Sequence, residues 1–147
     1  GIGKTFLATL VLKSCVMAGY KCYMTTFQNM LSSMKSGWKD ADFDRWYRGK
    51  VDSSQVLLID DLGKELLNNS EFNKEFARQT LDSLLRTRVQ QCKVTMFTSN
   101  LPPKGLGSQY GLSVASLLNE CAKTVPVSGS DYRSSVSGKV KGKRRIY

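Results

Sequence analysis

Apolar and polar positions alternate between helical and strand-like spacing along the chain. Phe6, Leu7, Ala8, Leu10, Val11 and Leu12 predict a helix over about residues 4–18, ended by Gly19. Residues 21–27 predict a strand, with Tyr23, Thr25, Thr26 and Phe27 supplying β-formers. Another helix begins at Gln28 and reaches Met34. Residues 35–55 are polar and interrupted by Gly37 and Gly49, with a short helix expected around 43–47. Val56-Leu57-Leu58-Ile59 is an unbroken apolar run, the pattern of a parallel strand covered on both faces. Asn68, Asn69 or Ser70 can cap a helix running to about Gln91, with Ala77, Leu81, Leu84, Leu85 and Val89 as its apolar stripe. A strand over 94–98 is closed off by Pro102-Pro103, a last helix covers about 112–122, and 124–127 is a short strand or extended segment. Strands alternating with helices predict an α/β fold with a mainly parallel sheet flanked by helices.

A length of 147 residues suits one domain. At 41% hydrophobic and 23% charged, the chain has the composition of a globular, soluble protein. No apolar run approaches the roughly 20 residues that span a bilayer, so no membrane partner is expected. The cysteines, Cys15, Cys22, Cys92 and Cys121, form no C-x-x-C pair, and the chain has no histidine, which argues against zinc and c-type haem. They are expected as small buried residues in a reducing, cytoplasmic setting. The net charge is +10, and half of it comes from Lys139, Lys141, Lys143, Arg144 and Arg145. Such a tail is either a flexible arm drawn to nucleic-acid phosphates or a solvated terminus that aids solubility. The expected organisation is a core over 1–135 and a basic flexible tail over 136–147.

Chemistry concentrates at three places. Gly1-Ile2-Gly3-Lys4-Thr5, leading into Phe6, is the second half of the phosphate-loop pattern G-x-x-x-x-G-K-[ST]. On that reading the first glycine and its strand lie upstream of a truncated start. Glycine lets backbone N–H groups turn around phosphates, Lys4 reaches the β and γ phosphates of ATP, and the Thr5 hydroxyl ligands Mg²⁺. The alternative is a surface turn of coincidental composition. The strand over 56–59 ends in Asp60-Asp61, at the sheet edge where α/β proteins bind ligands. Asp60 would hold Mg²⁺ through its water shell and Asp61 would orient or deprotonate a water; two acids merely opening a loop are the other reading. Thr98-Ser99-Asn100 ends the next strand, where Asn100 could bond both γ-phosphate and water, or simply start a turn.

Gly1-Ile2-Gly3-Lys4-Thr5, Leu58-Ile59-Asp60-Asp61-Leu62-Gly63 with Glu65, Arg88, Phe97-Thr98-Ser99-Asn100-Leu101 and Gly129-Ser130-Asp131-Tyr132-Arg133 occur in an order that resembles one family. It is the AAA+ ATPase module of DnaC/DnaI-type helicase loaders and IstB-type transposition ATPases, and the resemblance covers 1 to about 135. It implies a P-loop NTPase fold, ATP and Mg²⁺ as cofactors, and single-stranded DNA as a partner. It further implies delivery of a replicative helicase, or of a transposase, and allows self-oligomers. By resemblance Asn100 matches sensor 1 and Arg133 matches sensor 2, an arginine that reaches the nucleotide phosphates; a guanidinium suits that fork-like grip.

The sequence departs from the family at Ser116-Leu117-Leu118, where members carry an arginine finger in a Ser-Arg-Leu-like run. A finger is worth about 10³–10⁵ in rate in other nucleotide hydrolases, so slow turnover or another donor is expected, with Arg86, Arg88 and Lys123 as candidates. An adaptor that binds ATP with little hydrolysis is the corresponding alternative. Residues 43–50 interleave Phe43, Trp46 and Tyr47 with Arg45, Arg48 and Lys50. They form either a platform for single-stranded DNA or a short amphipathic helix, the latter favoured because i, i+3, i+4 is core spacing.

Overall fold

A computed structural model describes residues 2–37, 40–66 and 70–129. Three parallel strands, β1 (Cys22–Thr26), β2 (Val56–Leu62) and β3 (Val94–Ser99), form a sheet in the order β1-β2-β3. Helix α1 (Lys4–Met17) leads into β1, α2 (Phe27–Gly37) and α3 (Ala41–Ser53) cross to β2, and α4 (Glu71–Gln90) crosses to β3. Helices α5 (Pro103–Tyr110) and α6 (Leu112–Cys121) follow. Among the described residues, no helix is long and apolar enough to cross a membrane.

The apolar run of β2 is buried on both faces because successive side chains point to opposite sides. Val56 and Leu58 meet Leu12 of α1, with Ala8, Cys15, Cys22 and Met96 around them. Leu57 and Ile59 enter the larger core with Phe27, Met30, Leu31, Tyr47, Ala77, Leu81, Leu85 and Val114. Of the apolar run in α1, only Leu12 is buried; Phe6, Leu7, Leu10 and Val11 are exposed.

Several sequence expectations shift. Phe27 opens α2 instead of ending the strand and is fully buried there. Helix α3 spans Ala41–Ser53, well beyond 43–47, because Asp40 caps it: its carboxylate accepts from the N–H groups of Asp42 and Phe43. Pro102-Pro103 starts a helix as well as ending the β3 segment, since proline suits the first helical turn. Residues 124–127 carry no strand. No cysteine is buried: Cys15 and Cys22 are half-exposed, Cys92 and Cys121 exposed, and all are free. Of the three aromatics on α3, only Tyr47 is buried, while Trp46 is 56% exposed.

Arg88 takes the inward place on α4, with Val89 turned out to 42% exposure. Its guanidinium, 2% exposed, donates to the carbonyls of Val51 (3.1 Å), Ser54 (3.2 Å) and Val94 (2.8 Å), and to the hydroxyls of Ser54 (3.3 Å) and Thr95 (2.8 Å). It ties the end of α3 to the entrance of β3, which removes it from the candidates for an arginine finger.

Candidate functional site

Parallel strands release their connections at one edge, and the chemistry-bearing residues gather there. Gly3 caps α1 in the left-handed region, φ 85°, a turn that glycine enters without strain. No side chain caps α1 and its first turn holds no acid, so its N–H groups and positive dipole end suit an anion. Lys4 follows at once, and its Nζ donates to Asn100 Oδ1 at 2.7 Å across 96 residues of chain. Thr5 Oγ1 reaches Asp60 Oδ1 at 2.9 Å and Oδ2 at 3.2 Å. Ile2 is half-buried beside them, and Phe6 is 69% exposed. Gly1 and Arg133, both expected at the phosphates, lie outside the described residues.

Strand β2 does not stop before its acids but carries Asp60, Asp61 and Leu62 within it. The reason is a bulge. Ile59 pairs with Phe97 and Leu62 with Ser99, so Asp60 and Asp61 together face Thr98. Asp61 absorbs the extra residue at φ 59°, a conformation aspartate tolerates better than most residues. Thr98 stitches the bulge: its hydroxyl donates to Asp60 Oδ1 at 2.5 Å and accepts the Asp61 N–H at 3.0 Å. Asp60 is thereby 8% exposed with both hydroxyl donors on its carboxylate, whereas Asp61 stays 34% exposed and pairs with Lys64 Nζ at 2.5 Å. An ion pair this exposed is worth about 0–1 kcal/mol, which a ligand can displace.

The turn beyond is held from below. Gly63 turns at φ 104°, a conformation in which any side chain would be strained, and a Cβ there would also push on Leu101 Cδ1, 2.7 Å away. Glu65, 4% exposed, accepts the Gly63 N–H at 3.1 Å and the hydroxyl of Tyr110. Burial pushes its carboxyl above the ordinary value of 4.5.

Lys4, Thr5, Asp60 and Asn100 are therefore brought together at one sheet edge, with Asp61 at the rim. Thr98 was legible only as part of a strand end, and Tyr110 carried no signal because it acts through a contact 45 residues back in the chain, whereas Lys64 pairs with Asp61 only three positions away. A hydroxyl and one buried carboxylate are hard oxygen donors of the kind Mg²⁺ takes alongside substrate phosphates. Among the described residues no group of three or more Cys, Asp or Glu could hold a metal by itself.

A parallel sheet with helices on both faces, a glycine-turned helix start carrying Lys-Thr, and acids and an asparagine at adjacent strand ends define an AAA+ P-loop protein. The chain belongs to the family of IstB-like ATP-binding proteins, whose sequence model matches residues 1–138. It is similar to the structure of the DnaC helicase loader, with TM-score 0.68 and 25% identity over 84% of this chain and 71% of that one. It also shares its fold with AMPPCP-bound DnaA from Aquifex aeolicus, with TM-score 0.66 and 19% identity. That match covers all of this chain and 44% of the DnaA chain. No curated protein matches the chain by sequence.

Proposed function

We propose that the chain binds ATP with Mg²⁺, hydrolyses it slowly, and engages single-stranded DNA in order to deliver a replicative helicase. The observation that carries the reading is the meeting of Lys4, Thr5, Asp60 and Asn100 at one sheet edge, joined by direct hydrogen bonds. Lys4 moves its proton donors from Asn100 to the β and γ phosphates, and Asn100 is released to hold the γ-phosphate or a water. Thr5, with Asp60 acting through the water shell, would hold Mg²⁺, which would supply charge screening for the phosphates when bound. Asp61, freed from Lys64, orients the attacking water and accepts its proton.

Slow turnover is supported by the state of the cations. Leu117 is half-buried against the core, and Arg88 is buried in its own network. Arg86 pairs with Asp82 at 3.0 Å and donates to Ser113 Oγ at 2.6 Å. Lys123, exposed just beyond the end of α6, remains a candidate donor to a neighbouring copy's nucleotide. DNA contact is supported by Trp46, exposed with Lys50 Nζ 5.8 Å from its ring centroid, beside a serine-rich groove of about 580 Å³ that also includes Tyr23 and Asn29.

Delivery of a helicase is favoured by the likeness to the DnaC loader; the IstB-like family favours a second reading, delivery of a transposase. Lys4→Ala should abolish nucleotide binding and DNA-stimulated phosphate release. Undiminished affinity in a titration with a fluorescent ATP analogue would overturn the site. Capture of purified helicase against purified transposase separates the two deliveries.

A further inference from the structure

The backbone that aims Asp61 is pinned at three successive residues. The Asp61 N–H is held by Thr98 at 3.0 Å, the Leu62 carbonyl accepts from Ser99 Oγ at 2.7 Å, and the Gly63 N–H is held by Glu65 at 3.1 Å. Two of these anchors come from β3, the strand already committed to the site. The third reaches elsewhere: the other carboxylate oxygen of Glu65 takes the hydroxyl of Tyr110, at the C-terminal end of α5.

Tyr110 is itself fixed. It is 3% exposed and meets the fully buried Phe27 edge-on, with ring centroids 6.3 Å apart. Helix α5 is clamped to its neighbours, since a Cβ at Gly107 would lie 2.7 Å from Ala115 of α6, and Arg78 of α4 donates to the Gln109 carbonyl at 2.7 Å. A carboxylate in such a place is costly, because burial disfavours its charged form. An apolar side chain would fill the space at less cost but could not hold the Gly63 N–H.

We propose that Glu65 is a positioning residue for hydrolysis: bridging Gly63 and Tyr110, it fixes the left-handed turn that aims Asp61 and ties that aim to α5. The proposal rests on the reading of Asp61 as the water-orienting group. Misplacing such a group by an ångström costs about 10²-fold in rate while leaving the phosphate cradle intact. Loss of Glu65 should therefore fall on turnover and not on nucleotide affinity.

The test compares wild type, Glu65→Ala, Glu65→Gln and Tyr110→Phe as full chains. Glu65→Ala should bind the ATP analogue within about twofold of wild type and lose about tenfold or more in kcat with KM unchanged. Glu65→Gln keeps an acceptor oxygen for Gly63 and should recover most of that rate, and Tyr110→Phe should fall between them. Amide exchange should quicken at residues 61–63 in Glu65→Ala while α4 stays protected, showing that the fold persists. Unchanged kcat in Glu65→Ala, a parallel loss of affinity, or no recovery in Glu65→Gln overturns the proposal. If wild type and Lys4→Ala release phosphate at the same rate, the hydrolase reading fails instead. Exchange then decides for Glu65: unchanged exchange at 61–63 overturns the positioning role, and quickening confined there supports it.

Discussion

Replacing Thr98 with valine keeps the shape of a buried side chain and removes one hydroxyl that serves both acids. In the native protein that hydroxyl donates to Asp60 Oδ1 at 2.5 Å and accepts the Asp61 N–H at 3.0 Å, at a residue 7% exposed. A hydrogen bond to a charged group contributes about 1.5–3 kcal/mol, and a backbone N–H left without a partner costs about 1–3 kcal/mol. The two overlap, because the bulge can relax toward solvent on the Asp61 side, so a loss of about 3 kcal/mol is expected. For a chain of this size that lowers Tm by about 6–12 °C. Urea unfolding should show a lower midpoint at constant m, and Thr98→Ser, which keeps the hydroxyl, should recover most of it. The same change loosens Asp60, so Mg²⁺-dependent nucleotide affinity should fall about 10–100-fold, the usual cost of losing a group that orients a metal ligand. A midpoint shift worth less than about 1 kcal/mol, or Thr98→Ser as damaging as Thr98→Val, would refute the role given to this hydroxyl.

Arg88→Met keeps the stem packing but strips donors from the Val51, Ser54 and Val94 carbonyls, and should destabilise by about 3–5 kcal/mol in urea titration; a loss under about 1 kcal/mol would show that water replaces the guanidinium. Glu65 carries a carboxyl raised by burial, so the folded state binds its proton more tightly than the unfolded chain does. Its stabilising contribution is full below the unfolded value near 4.5 and is lost as pH rises through the higher folded value. The stability of Glu65→Gln relative to wild type should therefore climb with pH across that window and then level off; a flat difference from pH 4 to 8 would contradict it. Trp46→Ala should weaken binding of a short single-stranded oligonucleotide by about 1–3 kcal/mol while leaving Tm nearly unchanged, and equal affinity by anisotropy would remove Trp46 from the DNA surface.

Much of the architecture was readable because its cause is local. The apolar run 56–59 announced a strand covered on both faces, and a cap for α4 among residues 68–70, which the fold assigns to Ser70, and the Lys-Thr pair opening α1 needed only neighbouring residues. The order of the motifs was enough to identify the AAA+ class and the family. What the tertiary structure decided depends on partners far away in the chain. The bulge exists because β3 offers one residue, Thr98, against two from β2, and no pattern within residues 56–62 encodes that count. Burial separated Tyr47 from Trp46 on the same helix turn, and turned Arg88 from a candidate catalytic cation into a clamp on four backbone carbonyls, those of Val51, Ser54, Gln55 and Val94. Glu65 stood in the sequence only as the acid that follows the Asp-Asp-Leu-Gly run; its partner Tyr110 lies 45 positions on, and only the fold brings the two together. Periodicity and capping are short-range properties that a sequence displays directly; the protonation, aim and exposure of a side chain are set by what packs against it, and only the folded chain determines that.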